Sequence, residues 1–430
     1  MQQSFDVIII GAGAAGLMAA AAAANMRVND AAPKVLLLDG RDKIGAKILV
    51  AGGGRCNVTN EFIHPSRFHT ESDVNGALAL KGDGSKSFVG RVLRAFSVEQ
   101  THRFFESIGV PLKLEETGKY FPVSNSARTV LEALLQNVAD SGAELRTNVR
   151  VYDISFSENR YRLETSRGEY TATSVIVCSG GIALPKSGSD GAGYPWAEKF
   201  GHTIIFTTPA LSPLLSKKLP YKHLSGIAVP VRLQCGDKST FMRYEGSLLF
   251  THVGYSGPVA LNISRHVARD NVYKKVLLRL LPQVPDGEEN RFWHEFVKAN
   301  AKQNCVNALC QYFPRRLSET LITNALGETA LTKTTGKLRS EEQQKLKSTL
   351  LDQELEISEV ADYVKAEATA GGVSLAELEP ATMMSKLQQG LFFAGEVCDV
   401  DGWLGGYNFQ WAWSSGTVAG RAAARFALKN

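Results

Sequence analysis

Residues 5–39 constrain the fold of this chain more than any other stretch. Phe5-Asp6-Val7-Ile8-Ile9-Ile10 reads as a short, mostly apolar strand, and Gly11-Ala12-Gly13-Ala14-Ala15-Gly16 follows at once. The alanine-rich run from Leu17 to Met26 predicts a helix, and Val35-Leu36-Leu37-Leu38 predicts a second strand ending at Asp39. Strand, glycine turn, helix, strand and acid together form the pattern of a dinucleotide-binding βαβ unit. Gly11 permits the tight turn, Gly13 leaves room for a pyrophosphate, and Gly16 lets the helix approach the sheet. Ala14 and Ala15, inside the glycine turn, are further candidate cofactor contacts, and the N–H groups at the helix N-terminus suit phosphate oxygens. Asp39 is expected to accept hydrogen bonds from the adenosine ribose. It comes later than the usual offset of roughly 20 residues, and the polar stretch Asn25 to Lys34 accounts for the delay as an extended connection. This motif alone does not choose between FAD and NAD.

A second glycine cluster runs from Gly45 to Asn60. Gly52, Gly53 and Gly54 suit a loop whose backbone passes close to a flat ligand. Lys47 and Arg55 could neutralise phosphate charge, and Asn57, Thr59 and Asn60 offer hydrogen-bonding groups. Cys56 lies in this run without a cysteine neighbour, which disfavours dithiol chemistry. Tyr120-Phe121-Pro122 could present a face to a flat ligand before a helix capped by Ser124 or Ser126. Thr173 to Cys178 reads as a buried strand ending in Ser179-Gly180-Gly181, and ligands gather at such strand ends. Near the C-terminus, Leu391 to Ala394 is another buried strand. Gly395, Glu396, Gly405, Gly406, Asn408 and Phe409 then lead into a helix over 411–426, in which Trp411 and Trp413 are expected to be core.

A chain of 430 residues fits two or three domains. Hydrophobic residues at 44% and charged residues at 21% exclude a mainly disordered, collagen-like or disulfide-stapled protein. The six cysteines include no CxxC, so neither a zinc site nor a thioredoxin-like dithiol is expected. Cys305 and Cys310 are expected to pack in apolar surroundings. The N-terminus lacks the features of a signal peptide, and the alanine run 19–24 is too short to span a membrane. A soluble cytoplasmic protein is the expectation.

Charge is unevenly distributed. Residues 211–350 hold 21 basic and 11 acidic residues, whereas the remainder holds 27 basic and 32 acidic. Such an asymmetry favours a polyanionic partner or an ordinary solvated surface. Lys217, Lys218, Lys222, Lys274, Lys275, Arg315 and Arg316 are the candidate phosphate contacts. Strands are expected within 144–166, 226–234, 241–250 and 276–281, and helices over 87–109, 288–325 and 340–350. Residues 370–373 and 251–258 read as turns.

Five strings carry a resemblance: GAGAAGLMAA at 11–20, KILVAGGGRCNVTN at 47–60, FPVSNSA at 121–127, THVGYSGP at 251–258 and GEVCDVDGWLGGYNFQWAWSSG at 395–416. Together they resemble one family of bacterial FAD-dependent oxidoreductases. Its members include aminoacetone-oxidase-like, bile-acid-reductase-like and ribosomal RNA dihydrouridine-synthase-like flavoproteins. The resemblance implies an α/β fold: a Rossmann-like FAD-binding domain interrupted by a β-barrel-like domain carrying a helical insertion. The implied limits are 1–203 and 371–430 for the FAD domain, 204–284 and 351–370 for the β-rich substrate domain, and 285–350 for the insertion. Gly11, Gly13, Gly16 and Asp39 would address the adenosine diphosphate, although family members often carry Glu where this chain has Asp39. The 52–60 and 395–410 loops would approach the isoalloxazine and ribityl portions.

By the same likeness, NADPH or NADH would act as a transient reductant. The leading expectation is reduction of an unsaturated substrate, with uridine in ribosomal RNA foremost. A small unsaturated molecule, an amine to be oxidised, and a non-catalytic RNA-binding flavoprotein are the alternatives. Cys56, His252 and Tyr255 are the candidate proton donors, and no metal is expected. Disulfide reductases are less similar: they carry a redox CxxxxC pair and a second nucleotide glycine motif, and the expectation is that this chain has neither.

Overall fold

A computed structural model describes residues 3–71, 87–236, 241–269 and 275–430. The chain divides into two compact units. One combines Met1–Thr208 with Glu367–Asn430, and the other is Pro209–Ala366.

The first unit is built on a nine-stranded sheet. Its parallel centre runs Leu391–Phe393, Gly168–Val177, Gln3–Ile10, Val35–Leu38 and Glu144–Arg146. Val35–Leu38 and the ends of Gln3–Ile10 and Gly168–Val177 are unbroken runs of Val, Ile and Leu because both faces are covered there, as in parallel sheets, whereas Glu144–Arg146 is a partly exposed edge strand. Ile10 pairs with Leu38 and Val177, and Val177 pairs with Phe393. Their carboxyl ends are therefore level. The hairpin Val151–Ser157 and Arg160–Thr165 extends the strand Gly168–Val177 in antiparallel fashion.

The first helix, Ala14–Ala24, and the C-terminal helix, Tyr407–Ala427, pack closely. A Cβ at Gly416 would lie 2.3 Å from the Ala15 carbonyl oxygen, and one at Gly420 would lie 2.3 Å from that of Ala19. Only hydrogen fits along this seam. Ala46–Gly54 is a helix with a break, because Gly52 and Gly53 adopt left-handed conformations with φ of 57° and 69°.

Ala368–Val373 is a strand beside Ile204–Ala210, not the turn expected for 370–373. Gly371 at φ 88° lies so close to its neighbour that a Cβ would stand 2.3 Å from the Phe206 carbonyl oxygen. Glycine here serves close approach between strands. The 87–109 stretch forms two helices, Phe88–Ala95 and Val98–Ser107. A Ser97–Gln100 capping box restarts the second.

The second unit carries a seven-stranded antiparallel sheet. Its order is Gln353–Leu355, Val276–Arg279, Ala228–Gly236, Phe241–Thr251, Gly254–Ser256, Leu214–Leu215 and Glu359–Val360. The helix Pro258–Arg269 packs on this sheet. The 251–258 stretch is thus a hairpin return followed by a helix start. In place of one helical run over 288–325 there are three helices, Glu289–Ala299, Cys305–Leu309 and Arg315–Leu326. Asn304 caps the second by accepting from the Val306 N–H, and Pro314 precedes the third. Among the described residues no helix is long and apolar enough to cross a membrane.

Candidate cofactor-binding site

The level strand ends of the first unit carry Gly11, Asp39, Gly181, Gly395 and Glu396 from the expected cofactor residues. Gly11 follows Ile10, Asp39 follows Leu38, Ser179 to Gly181 follow the Val177 strand, and Gly395 and Glu396 follow the Phe393 strand. The ladder runs slightly past the strands, with Gly11 N–H donating to Leu38 O at 2.7 Å and Cys178 N–H to Ile10 O at 2.8 Å. The carboxyl edge of an open parallel sheet is where such folds bind ligands.

The three glycines of the first turn are not alike. A Cβ at Gly11 would lie 2.5 Å from the Cys178 carbonyl oxygen, and one at Gly16 would lie 1.8 Å from that of Gly11. Both are required by the protein's own packing. At Gly13, nothing lies within 4 Å of the Cβ position. Gly13 also caps the first helix without a side-chain bond, so the cap satisfies none of the backbone donors of the first turn. The Asp39 carboxylate accepts from the Ala12 and Arg41 N–H groups, each at 2.8 Å. Each oxygen takes one of these bonds, so acceptor capacity remains for ribose hydroxyls.

The second glycine run shows a similar division. Gly53 (φ 69°) meets nothing within 4 Å, and Gly54 (φ 84°) meets only Leu49 O at 3.9 Å. Cys56 follows, also left-handed at φ 61° and wholly buried. Burial pushes its thiol up to about 12, so it stays protonated at neutral pH. Among the polar side chains of this run, Thr59 donates to Gln410 Oε1 at 2.6 Å and Asn60 donates to Gly405 O at 2.9 Å. Asn57 differs, since its Oδ1 is buried without a hydrogen-bond partner among the described residues. An unpaired buried acceptor is costly, and an N–H or O–H of a bound group would satisfy it.

The two expected phosphate cations are engaged within the protein. Lys47 Nζ stands 2.5 Å from Glu396 Oε2. Arg55 pairs with Glu115 at 2.6 Å and lies 3.9 Å over the Phe121 ring. Phe121 thus stacks on a guanidinium. The Glu396 carboxylate also accepts from the Thr369 N–H at 3.0 Å, and the Thr369 hydroxyl accepts from the Ile182 and Ala183 N–H groups. Gly181 closes this cluster, for a Cβ there would lie 2.4 Å from Thr369 Oγ1.

Asn408 bonds Gly402 on both sides of its amide, at 2.8 and 3.0 Å, and so braces the loop before the C-terminal helix. Gly406 packs so tightly that a Cβ would stand 2.6 Å from the Thr59 carbonyl carbon, whereas Gly405 lies under Lys119. Phe409 stacks on Trp413 at 5.4 Å. Trp411 and Trp413 are buried and donate to Gly395 O and Val58 O. Gly395 N–H donates to Ser415 Oγ at 3.0 Å, which pins the 395 turn to the C-terminal helix.

His252 and Tyr255 belong to the second unit. His252 is exposed at the hairpin tip. Tyr255 is buried beside Tyr221 and Phe250, and its hydroxyl has no hydrogen-bond partner among the described residues. Burial raises its pKa, with nearby Tyr221 and Glu356 adding to the shift. Cys305 and Cys310 do have CxxxxC spacing, contrary to the expectation stated for disulfide reductases. Both are free, one buried and one exposed.

Several side chains at this edge were not singled out from the sequence: Thr369, Lys119 and Gln410. Gln410 is fully buried and joins Thr59, Thr101, Phe96 O and Ser414. Its sequence signal is a polar residue between the aromatics Phe409 and Trp411.

The glycine turn, strand-end acid and level parallel sheet define a Rossmann-type dinucleotide-binding fold, and the relatives below make the chain an FAD-dependent oxidoreductase. The family model described as "HI0933-like protein Rossmann domain" matches residues 5–422, and the chain belongs to that family. It is 32% identical over 420 residues to a 3-dehydro-bile acid delta(4,6)-reductase from Clostridium scindens, covering 97% of this chain and 98% of the relative. It is 33% identical over 416 residues to a ribosomal RNA dihydrouridine synthase from Escherichia coli, covering 96% of each. Among solved structures, a quinol-fumarate reductase with menaquinol molecules aligns at TM-score 0.50 and 16% identity, over all of this chain and 72% of that one. That last likeness is one of fold.

Proposed function

We propose that this chain reduces a carbon–carbon double bond with reducing equivalents from NADPH or NADH, and that its substrate is uridine in ribosomal RNA. The reading rests chiefly on the full-length similarity to a relative named for that reaction. The basic excess of residues 211–350 favours a polyanionic substrate over a neutral one. The equally long similarity to a bile-acid reductase keeps a small unsaturated ring compound as the second reading.

The residues at the sheet edge fit FAD. Open space at Gly13 beside free helix N–H groups suits the pyrophosphate, and Asp39 suits the ribose. The unsatisfied Asn57 acceptor suits a donor on the flavin half. When bound there, FAD supplies two-electron hydride chemistry. The chain itself holds the Gly53–Gly54 backbone open, keeps the Cys56 thiol protonated by burial, and fixes Glu396 between Lys47 and Thr369. Saturating a double bond also needs a proton, for which Cys56, His252 and Tyr255 are the candidates.

An anaerobic titration of the holoprotein with NADH and NADPH, followed by unmodified ribosomal RNA, tests this reading. Bleaching of the flavin spectrum by a nicotinamide, then its recovery on adding RNA with dihydrouridine formed, is the expected result. Bleaching that only a small enone reverses would transfer the assignment to the second reading. Absence of bleaching would remove the nicotinamide from it.

A further inference from the structure

The positive excess of the second unit is not spread over its surface. Many of its cations are held by acids of the same unit. Asp286 receives Arg232 and Arg279 at 2.9 Å each and Arg243 at 2.8 Å. Lys275 pairs with Glu354 at 2.9 Å, so one expected phosphate contact is already engaged. Lys333 pairs with Glu342, Lys345 with Glu341 and Arg291 with Glu295. Lys274 lies outside the described residues.

Lys217, Lys218 and Lys222 are different. All three are exposed, and none forms an ion pair among the described residues. They sit on one loop whose backbone is fixed. Lys218 N–H donates to Glu356 Oε2 at 3.3 Å, Leu219 N–H to Ser216 Oγ at 3.2 Å, and Lys222 N–H to Leu219 O at 3.1 Å. The loop ends in the short turn Lys222–Leu224, which is fastened to the helix Arg315–Leu326. Arg316 donates to the His223 carbonyl, and the His223 ring meets Thr320 Oγ1 at 2.7 Å. Arg316 therefore stands beside Lys222 with further guanidinium donors unspent. Two acids bond this face. Glu319 pairs with Arg315, and Glu356 is turned to Ser216 and the Lys218 backbone.

We propose that the face formed by Lys217, Lys218, Lys222 and Arg316 docks the phosphate backbone of RNA. The inference rests on the ribosomal RNA reading and assigns that substrate its contact surface. Lysines supply mobile point charges, and an arginine held by a carbonyl supplies a fixed planar donor. Because the loop and turn are already ordered by backbone bonds, only the side chains must be immobilised on binding. A second unpaired group, Lys298, Lys302 and Lys337, is gathered by the bond from Gly336 N–H to Ala301 O. It contains no arginine and provides a charge-matched control.

The test is fluorescence anisotropy of the FAD-loaded protein on a 40-nucleotide unmodified ribosomal RNA transcript, across a potassium chloride series. Lys217→Gln/Lys218→Gln/Lys222→Gln is expected to weaken binding about tenfold or more and to lower the log–log salt slope by about 2, at roughly 0.7 per phosphate contact on a single strand. This variant leaves the Arg316–His223 bond intact, and adding Arg316→Gln is expected to lower the slope by a further ~0.7. Lys298→Gln/Lys302→Gln/Lys337→Gln is expected to change affinity less than about threefold, since long-range charge alone is screened at that salt. Wild-type affinity in the first variant would overturn the proposal, as would an equal loss in the control. Binding to vesicles containing 30% anionic lipid, without binding to RNA, would overturn it too. Dihydrouridine formation separates the two levels. If the first variant keeps wild-type turnover and KM on RNA, only the docking face fails. If the wild type neither binds nor reduces RNA, the substrate reading itself fails.

Discussion

The two glycine-rich turns of the first unit look alike in sequence and differ in what surrounds them. In the first, Gly11 and Gly16 are glycine because a Cβ would strike the protein's own backbone, at 2.5 and 1.8 Å. Only Gly13 opens onto free space. In the second, Gly53 and Gly54 open onto free space, and their left-handed backbone rather than crowding excludes other residues. A glycine signature therefore mixes two demands, and the neighbourhood of the absent side chain separates glycines that build the turn from those that leave room for a ligand.

Gly16→Ala tests the crowded case and carries the largest effect. No rotamer relieves a contact with the Gly11 carbonyl, so a loss of about 3 kcal/mol is expected, read as a lower denaturant midpoint or an insoluble product. Gly13→Val tests the open case. Its backbone, at φ −83°, admits valine, so the apoprotein should unfold within about 0.5 kcal/mol of wild type. FAD affinity, measured by fluorescence quenching, should fall about a hundredfold, near 3 kcal/mol. Full FAD binding by that variant would show that the pyrophosphate lies elsewhere.

Each turn also has a buried cysteine beside it, and Cys56 sharpens the comparison through pH. Its folded pKa of about 12 lies above the ordinary value of 9.0. Burial favours the neutral thiol, so its contribution to stability is complete below pH 9 and is lost as pH rises from 9 towards 12. Relative to Cys56→Ala, the wild type should lose about 1.4 kcal/mol per pH unit above 9, as seen in melts at pH 8 to 10.5. Iodoacetamide should leave Cys56 unlabelled in the folded protein at pH 8. The smallest effect belongs to Gly53→Ala. With space available but φ at 69°, it should cost about 1 kcal/mol, measured by chemical denaturation of the apoprotein.

The first strand, turn and helix were legible because their signals are local: an unbroken apolar run, glycines at fixed spacing, and alanines free to propagate a helix. The strand ends at Cys178 and Ala394 were readable for the same reason. The Lys47–Glu396 pair was not, since it joins residues 349 positions apart and nothing near either one announces the other. Lys47 and Arg55 were expected to serve phosphate, yet internal acids hold both. The helix Pro258–Arg269 was missed because it begins directly after a glycine–proline turn and buries Arg265 and His266, which sequence alone places outside. Paired glycines usually mark a turn, so residues 370–373 read as one in sequence, whereas they lie in the strand Ala368–Val373. Here they admit a neighbouring strand at close range.

The C-terminal helix has a consequence for the order in which the protein is made. Residues 391–427 supply a sheet neighbour for Val175–Val177, the tryptophan and serine that pin Gly395, and the glycine seam against the first helix. They leave the ribosome after the whole second unit. A nascent chain that has already produced its first glycine turn still lacks the elements that hold that turn in place. Flavin capture is thereby deferred until residues 391–427 have been made, and bound flavin becomes a report that this segment has joined the fold.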